Sequence, residues 1–184
     1  DALPISYLGI AVGQQARGLA AQALVAEARG HPIARAKVFP TVGNPVLWRA
    51  VYESNGVLYT DRIRLGSTPS FKPGSTVTLS AEASLPAALR LNPRVLRDYR
   101  RFAWFSDNWL ARAPADPEVL GDARYSLSTE RFEPIWGVRF HPDRELPTEW
   151  VDFTRRNRVP LASLWREISG RDEAYRPLPA VPPG

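Results

Sequence analysis

Val46-Leu47-Trp48-Arg49-Ala50-Val51-Tyr52-Glu53-Ser54-Asn55-Gly56-Val57-Leu58-Tyr59-Thr60-Asp61-Arg62-Ile63-Arg64-Leu65 is the stretch that decides the fold. β-Branched and aromatic residues crowd both sides of Asn55-Gly56, the dipeptide that supplies the positive φ values of a tight hairpin turn. Antiparallel strands over Val46–Glu53 and Val57–Leu65 follow. In the second strand Val57, Tyr59, Ile63 and Leu65 share one face, with Leu58, Thr60, Arg62 and Arg64 on the other, so Asp61 falls on the apolar face. Arg49 lies in a run that is apolar on both faces.

Upstream, Ile33–Phe39 reads as a third strand, joined to the hairpin by Pro40-Thr41-Val42-Gly43-Asn44-Pro45. Before it, Leu8, Val12, Leu19 and Ala23 recur at helical spacing over Ile5–Arg29, and Gly30 and then Pro32 stop the helix. Downstream, Gly66–Ser75 carries Pro69, Pro73 and Gly74 and reads as a loop, followed by a short strand at Val77–Leu79 and a helical turn from Ser84 to Leu91. Asn92-Pro93 starts a helix as N-cap and first-turn proline; its apolar stripe is Val95, Leu96, Tyr99, Phe102 and Ala103, with Arg94, Arg97, Arg100 and Arg101 on the wetter face. Strands follow at Trp109–Arg112, Val119–Leu127 and Pro134–Phe140, and a short helix at Leu161–Ile168 closes at Gly170. Glu149–Arg155 fits either helix or strand. The pattern is that of an α+β protein. One domain spans 1–176, with a long helix over 1–30, a mostly antiparallel sheet of five to six strands over 33–141 with a helix at 93–106 inserted and packed on one face, and a C-terminal helical segment over 142–176. A Pro-rich tail, disordered or extended, covers 177–184.

Composition narrows the chemistry. The chain has 184 residues, 44% of them apolar, enough to bury one domain's core. It contains no Cys, which removes disulfides, thiolate nucleophiles and Cys-ligated zinc, and only two His, His31 and His141, too few for a multi-histidine metal centre. The net charge is +5, and lysine is confined to Lys37 and Lys72, leaving the remaining 22 basic residues as Arg. These are scattered with no run longer than two, which fits a bias toward Arg better than a nucleic-acid footprint. No stretch approaches the ~18 apolar residues of a membrane span, so the segment reads as soluble.

Polar residues in apolar surroundings mark the candidate site. Arg49, Asp61, Asp122 and Arg124 form a candidate buried polar cluster. Asp122 and Arg124 are two apart and share a face. A buried guanidinium needs a carboxylate, so Arg49 or Arg124 should pair with Asp61 or Asp122, as a structural ion pair that fixes register or at the border of a cleft. Asp61 with Asp122 is the one acid pair to nominate for acid–base work. No Gly-x-Ser-x-Gly elbow occurs, and Gly9, Gly13 and Gly18 lie inside a helix with the wrong spacing for a phosphate loop. Trp48, Trp104, Phe105 and Trp136 are candidate aromatic core or surface. His31 sits just past a helix end and His141 in a loop. No catalytic residue and no metal ligand is assigned within the chain.

The order Arg29-Gly30, Phe39-Pro40-Thr41, Asn44-Pro45, Leu47-Trp48-Arg49, Val51-Tyr52-Glu53, Trp104-Phe105-Ser106 and Gly121-Asp122-Ala123-Arg124-Tyr125 resembles the C-terminal soluble region of the predicted membrane-bound metal-dependent hydrolases of the bacterial inner membrane, the YdjM/YbcI type. The resemblance covers about Ala26 to Phe140; Ile135-Trp136-Gly137 and Leu164–Gly170 also fit. It implies that transmembrane helices precede this chain and carry the His and Asp residues behind the hydrolase name. The metal ion then belongs to that membrane part, with no cofactor in this chain. The partners are its own transmembrane region and the membrane surface, and the protein lies in the inner membrane, with the net positive charge favouring the cytoplasmic side. The alternative is an interaction module whose arginines bind anionic lipid, nucleic acid or a partner protein.

Overall fold

The computed structural model describes residues 3–41, 44–126, 128, 132–154 and 161–180. In chain order the elements are helix α1 (Leu3–Ala28), strands β1 (Arg35–Pro40), β2 (Leu47–Ser54), β3 (Val57–Arg64) and β4 (Ser70–Thr78), and a 3-10 turn (Glu82–Ser84). Helices α2 (Ala87–Arg90) and α3 (Pro93–Phe105) follow, then strands β5 (Leu110–Ala113), β6 (Asp116–Asp122), β7 (Trp136–Phe140) and β8 (Thr148–Asp152), helix α4 (Leu161–Ile168) and strand β9 (Arg176–Pro177). The fold is α+β, as the periodicities indicate. Its strands are divided between two sheets, β1-β2-β3-β4-β9 and β5-β6-β7-β8. They lie in two compact units, Asp1–Thr76 with Pro160–Gly184, and Val77–Val159. Period-two patterning reveals strands but not their partners; here the helical stretch from Glu82 to Phe105 separates β1–β4 from β5–β8, and β9 joins the first sheet from the C-terminal end of the chain. No described helix is long and apolar enough to cross a membrane.

In the first unit Asn55 and Gly56 both adopt positive φ, 51° and 73°, and Ser54 pairs with Val57 across the turn. β1 runs antiparallel to β2 with Val38 opposite Ala50. α1 packs on β1, β2 and β3 through Ala21, Gln22, Val25 and Ala26. Gly18 permits that approach, since a Cβ there would stand 3.3 Å from Val38 Cγ2. The helix closes with the His31 amide donating to the Ala26 carbonyl and the Gly30 amide to Glu27, a Schellman pattern that needs Gly30 at φ +69°. Val38, Trp48, Ala50, Ile63 and Leu65 form the core with Ala21, joined by Phe71 and Leu178.

Two expectations change here. The stretch 66–75 is not simply a loop: most of it forms β4. β9 pairs only with Ser70 and Phe71, so Pro73 sits where β4 has an open side, and a residue without an N–H is tolerated at an edge. Of the two readings of the tail, disorder gives way over its described part, because Pro177 belongs to β9 and Leu178 packs into the core; residues 181–184 lie outside the described residues.

The second unit is a four-stranded antiparallel meander covered by α3. Asn92 caps α3, its Oδ1 accepting from the Arg94 and Val95 amides at 3.0 and 3.3 Å. Val95, Tyr99, Phe102 and Ala103 then pack against Leu110, Leu120, Val138 and Phe140. The segment 149–155, readable either way in sequence, supplies β8 over Thr148–Asp152. β6 spans Asp116–Asp122, starting earlier and ending earlier than Val119–Leu127; Leu127 lies outside the described residues.

Candidate functional site

Asp61 occupies the position on β3 opposite Ala50, on the face that α1 covers, and is 2% exposed. The last turn of α1 delivers its partner. Arg29 Nη1 donates to Asp61 Oδ2 at 2.7 Å and Nη2 to Oδ1 at 2.9 Å, and the Gly74 amide donates to Oδ1 at 3.3 Å. Arg29 Nη1 also donates to the Tyr52 hydroxyl at 3.0 Å, and His31 Nδ1 lies 2.9 Å from the same oxygen. Tyr59 stands directly opposite Tyr52 and the two rings stack at 5.0 Å, with the His31 ring 4.4 Å from Tyr59. Burial disfavours charge on Arg29, but the bonds to Asp61 and Tyr52 outweigh it and raise its pKa. Burial likewise raises Tyr52, against the pull of Arg29, so its phenol stays neutral. The geometry is a charge-assisted fork with most acceptor positions of Asp61 taken, which leaves it neither a free base nor an open metal ligand.

Arg49 does not join this group. Its cross-strand partner is Arg62, while Asp61 faces Ala50, one position along, so the two side chains leave opposite faces of the sheet. On the Arg49 face Glu167 of α4 reaches Arg62 at 3.5 Å and accepts from the Tyr175 hydroxyl at 2.8 Å. Burial, together with the charge of Arg62, pulls Arg49 down to about 10. The expected pairing of Arg49 with Asp61 therefore gives way to Arg29–Asp61.

Asp122 and Arg124 do pair, at the end of β6. Arg124 Nε donates to Oδ1 at 3.0 Å, Nη2 to Oδ2 at 2.6 Å, and the Arg124 amide to Oδ1 at 3.1 Å. Nη2 also donates to the Phe105 carbonyl at 2.8 Å, where a cation complements the C-terminal end of α3. The hydrogen bond to Asp122 raises the Arg124 pKa against burial. Aromatic rings continue from this pair: Arg124 lies 5.3 Å from the Tyr125 ring and 5.9 Å from Phe105, Tyr125 meets Trp136 at 5.3 Å, and Trp136 stacks on Trp150 at 6.4 Å. Trp150 meets Phe102 edge-on and Phe102 stacks on Phe105, both at 6.3 Å, which closes the circuit.

The four candidate aromatics separate accordingly. Trp48 is core in the first unit, its Nε1 donating to the Pro45 carbonyl at 2.9 Å. In the second unit Trp104 and Phe105 are exposed, at 81% and 52%, and Trp136 is half-buried. Arg29, His31, Tyr52 and Tyr59 lie outside the set read from sequence. Counting register outward from Asn55-Gly56 does place Tyr52 opposite Tyr59; nothing local marks Arg29 as the partner of Asp61.

Among the described residues no three His, Asp or Glu side chains gather at metal-binding distance. Asp61 and Asp122 are held by guanidinium forks, and His141 Nε2 lies 2.6 Å from Glu149. This donor set does not fit a metal ion. Compared with family models, curated proteins and solved structures, the chain finds no match.

Proposed function

We propose that this chain is the soluble C-terminal domain of a membrane-bound metal-dependent hydrolase, of the kind its motifs resemble, and that it lacks a complete active site of its own. The carrying observation is that motif residues spend their polar atoms on scaffolding. Asn44 Oδ1 accepts from the Val46 and Leu47 amides at 3.0 and 2.6 Å, and its Nδ2 donates to Thr41 Oγ1 at 2.9 Å, fixing the turn into β2. Asp61 and Asp122 are each neutralised by an arginine of their own unit. Side chains engaged in this way build a rigid appendage rather than a reacting centre. In this reading the metal ion and its ligands belong to a transmembrane region, which is also the domain's first partner, and the protein resides in the inner membrane with this domain on the cytoplasmic side. Fractionation of cells expressing the gene product that contains this chain tests it. Recovery in the membrane pellet after an alkaline carbonate wash supports the reading, and recovery in the soluble fraction contradicts it.

A further inference from the structure

We infer that the exposed face of α3 docks onto an anionic phospholipid bilayer. Arg94, Arg97, Arg101 and Trp104 follow one another at steps of three and four residues, which sets them along one side of the helix, and Phe105 adjoins Trp104 at its C-terminal end. All five are exposed. Arg94 and Arg101 have no acidic partner among the described residues, and Arg97 meets only Asp98, at 3.5 Å. Beside the aromatic end of this stripe Trp150 of β8 is 58% exposed and touches Phe102 of the same helix. Monomeric surfaces seldom expose three large aromatic side chains so close together without a partner.

Cations along the helix and aromatics at its end match the headgroup layer. Guanidinium groups engage lipid phosphates, while Trp and Phe seat at the boundary between headgroups and acyl chains. A nucleic acid fits less well, because base stacking needs open ring faces. Phe105 is stacked on Phe102 and approached by Arg124, and Trp150 is stacked on Trp136, so each of these two rings already has a face taken. Insertion among headgroups needs only an exposed apolar body.

The inference stands on these residues and goes beyond the appendage reading, so its test uses the chain by itself. Co-sedimentation is measured with phosphatidylcholine vesicles containing one third phosphatidylglycerol, and with phosphatidylcholine alone. The chain should sediment with the anionic vesicles at low salt and be released at molar salt. Arg94→Gln/Arg97→Gln/Arg101→Gln should weaken partitioning about 100-fold, from about 1 kcal/mol per cation. Trp104→Ala/Phe105→Ala should weaken it roughly tenfold or more. The arginine variant alters exposed positions and should keep the parent thermal midpoint, as should Trp104→Ala alone, which leaves the Phe105–Phe102 stack in place and should still weaken partitioning; this separates lost binding from lost folding. No sedimentation with anionic vesicles, equal sedimentation of parent and variants, or displacement of the chain from vesicles by a single-stranded oligonucleotide would each overturn the inference.

Discussion

Arg29 and Asp61, 32 positions apart in the chain, meet through a two-pronged ion pair of 2.7 and 2.9 Å that ties the end of α1 to the middle of β3. The Schellman closure at Gly30 directs the last turn of the helix at the sheet, and the guanidinium also complements the negative end of the helix dipole. Asp122–Arg124 does a similar job between β6 and the end of α3. In both places a carboxylate that sequence alone leaves open to catalysis is committed to joining a helix end to a strand.

Arg29→Met should be costly, because it strands a carboxylate that is 2% exposed with the Gly74 amide as a remaining donor. Breaking a buried pair from one side typically costs about 3–5 kcal/mol, and replacing both partners by apolar groups recovers much of it. Urea unfolding should therefore show a large loss for Arg29→Met and a smaller one for Arg29→Met/Asp61→Leu. Equal losses would refute the structural role.

Gly137 sits opposite Gly121 between β6 and β7, where a Cβ would come within 2.5 Å of the Leu120 carbonyl oxygen and 2.6 Å of Val119 Cγ1. The nearer atom is backbone and cannot swing away. Gly137→Ala should lower stability by about 1–3 kcal/mol, the usual cost of overpacking, read as a lower thermal midpoint. An unchanged midpoint would contradict the close approach of these strands.

Burial gives Arg49 a pH effect of its own. Its pKa is pulled down to about 10 by burial and by Arg62, so the folded chain holds this proton more weakly than the unfolded chain. Below that value both states are protonated and the fold bears the cost of holding a buried cation. As pH rises through it the folded state releases the proton first, and this group's contribution to stability increases with pH. Stability of the parent relative to Arg49→Met should therefore climb between about pH 9 and about pH 11 in denaturant titrations. A flat or falling difference would show that Arg49 is not so perturbed.

Much of the fold was legible because local signals carry it. Asn55-Gly56 forces the hairpin, Asn92-Pro93 starts α3, and Gly30 closes α1, each through backbone requirements confined to a few residues. What local signals do not hold is partnership. Asp61 was readable as an acid on an apolar face, yet the choice of Arg29 over Arg49 depends on α1 crossing that face, and a cross-strand offset of one residue sends Arg49 to the other side. Pro73 and Gly74 announce a loop in isolation. In the fold Pro73 occupies an open side of β4, and Gly74 lends its amide to Asp61. Trp104 and Phe105 lie within α3, three and four residues on from Arg101, so helical spacing sets them toward the arginine side and leaves them exposed.

Hydrolysis by the purified chain, assayed with phosphoester and carboxylic ester substrates in the presence of divalent metal ions and compared with Asp122→Asn, bears most directly on the claim that its buried acids are structural. The parent should show no turnover above background, and the variant should differ from it only in stability. Turnover by the parent that disappears in a folded Asp122→Asn variant would contradict the claim.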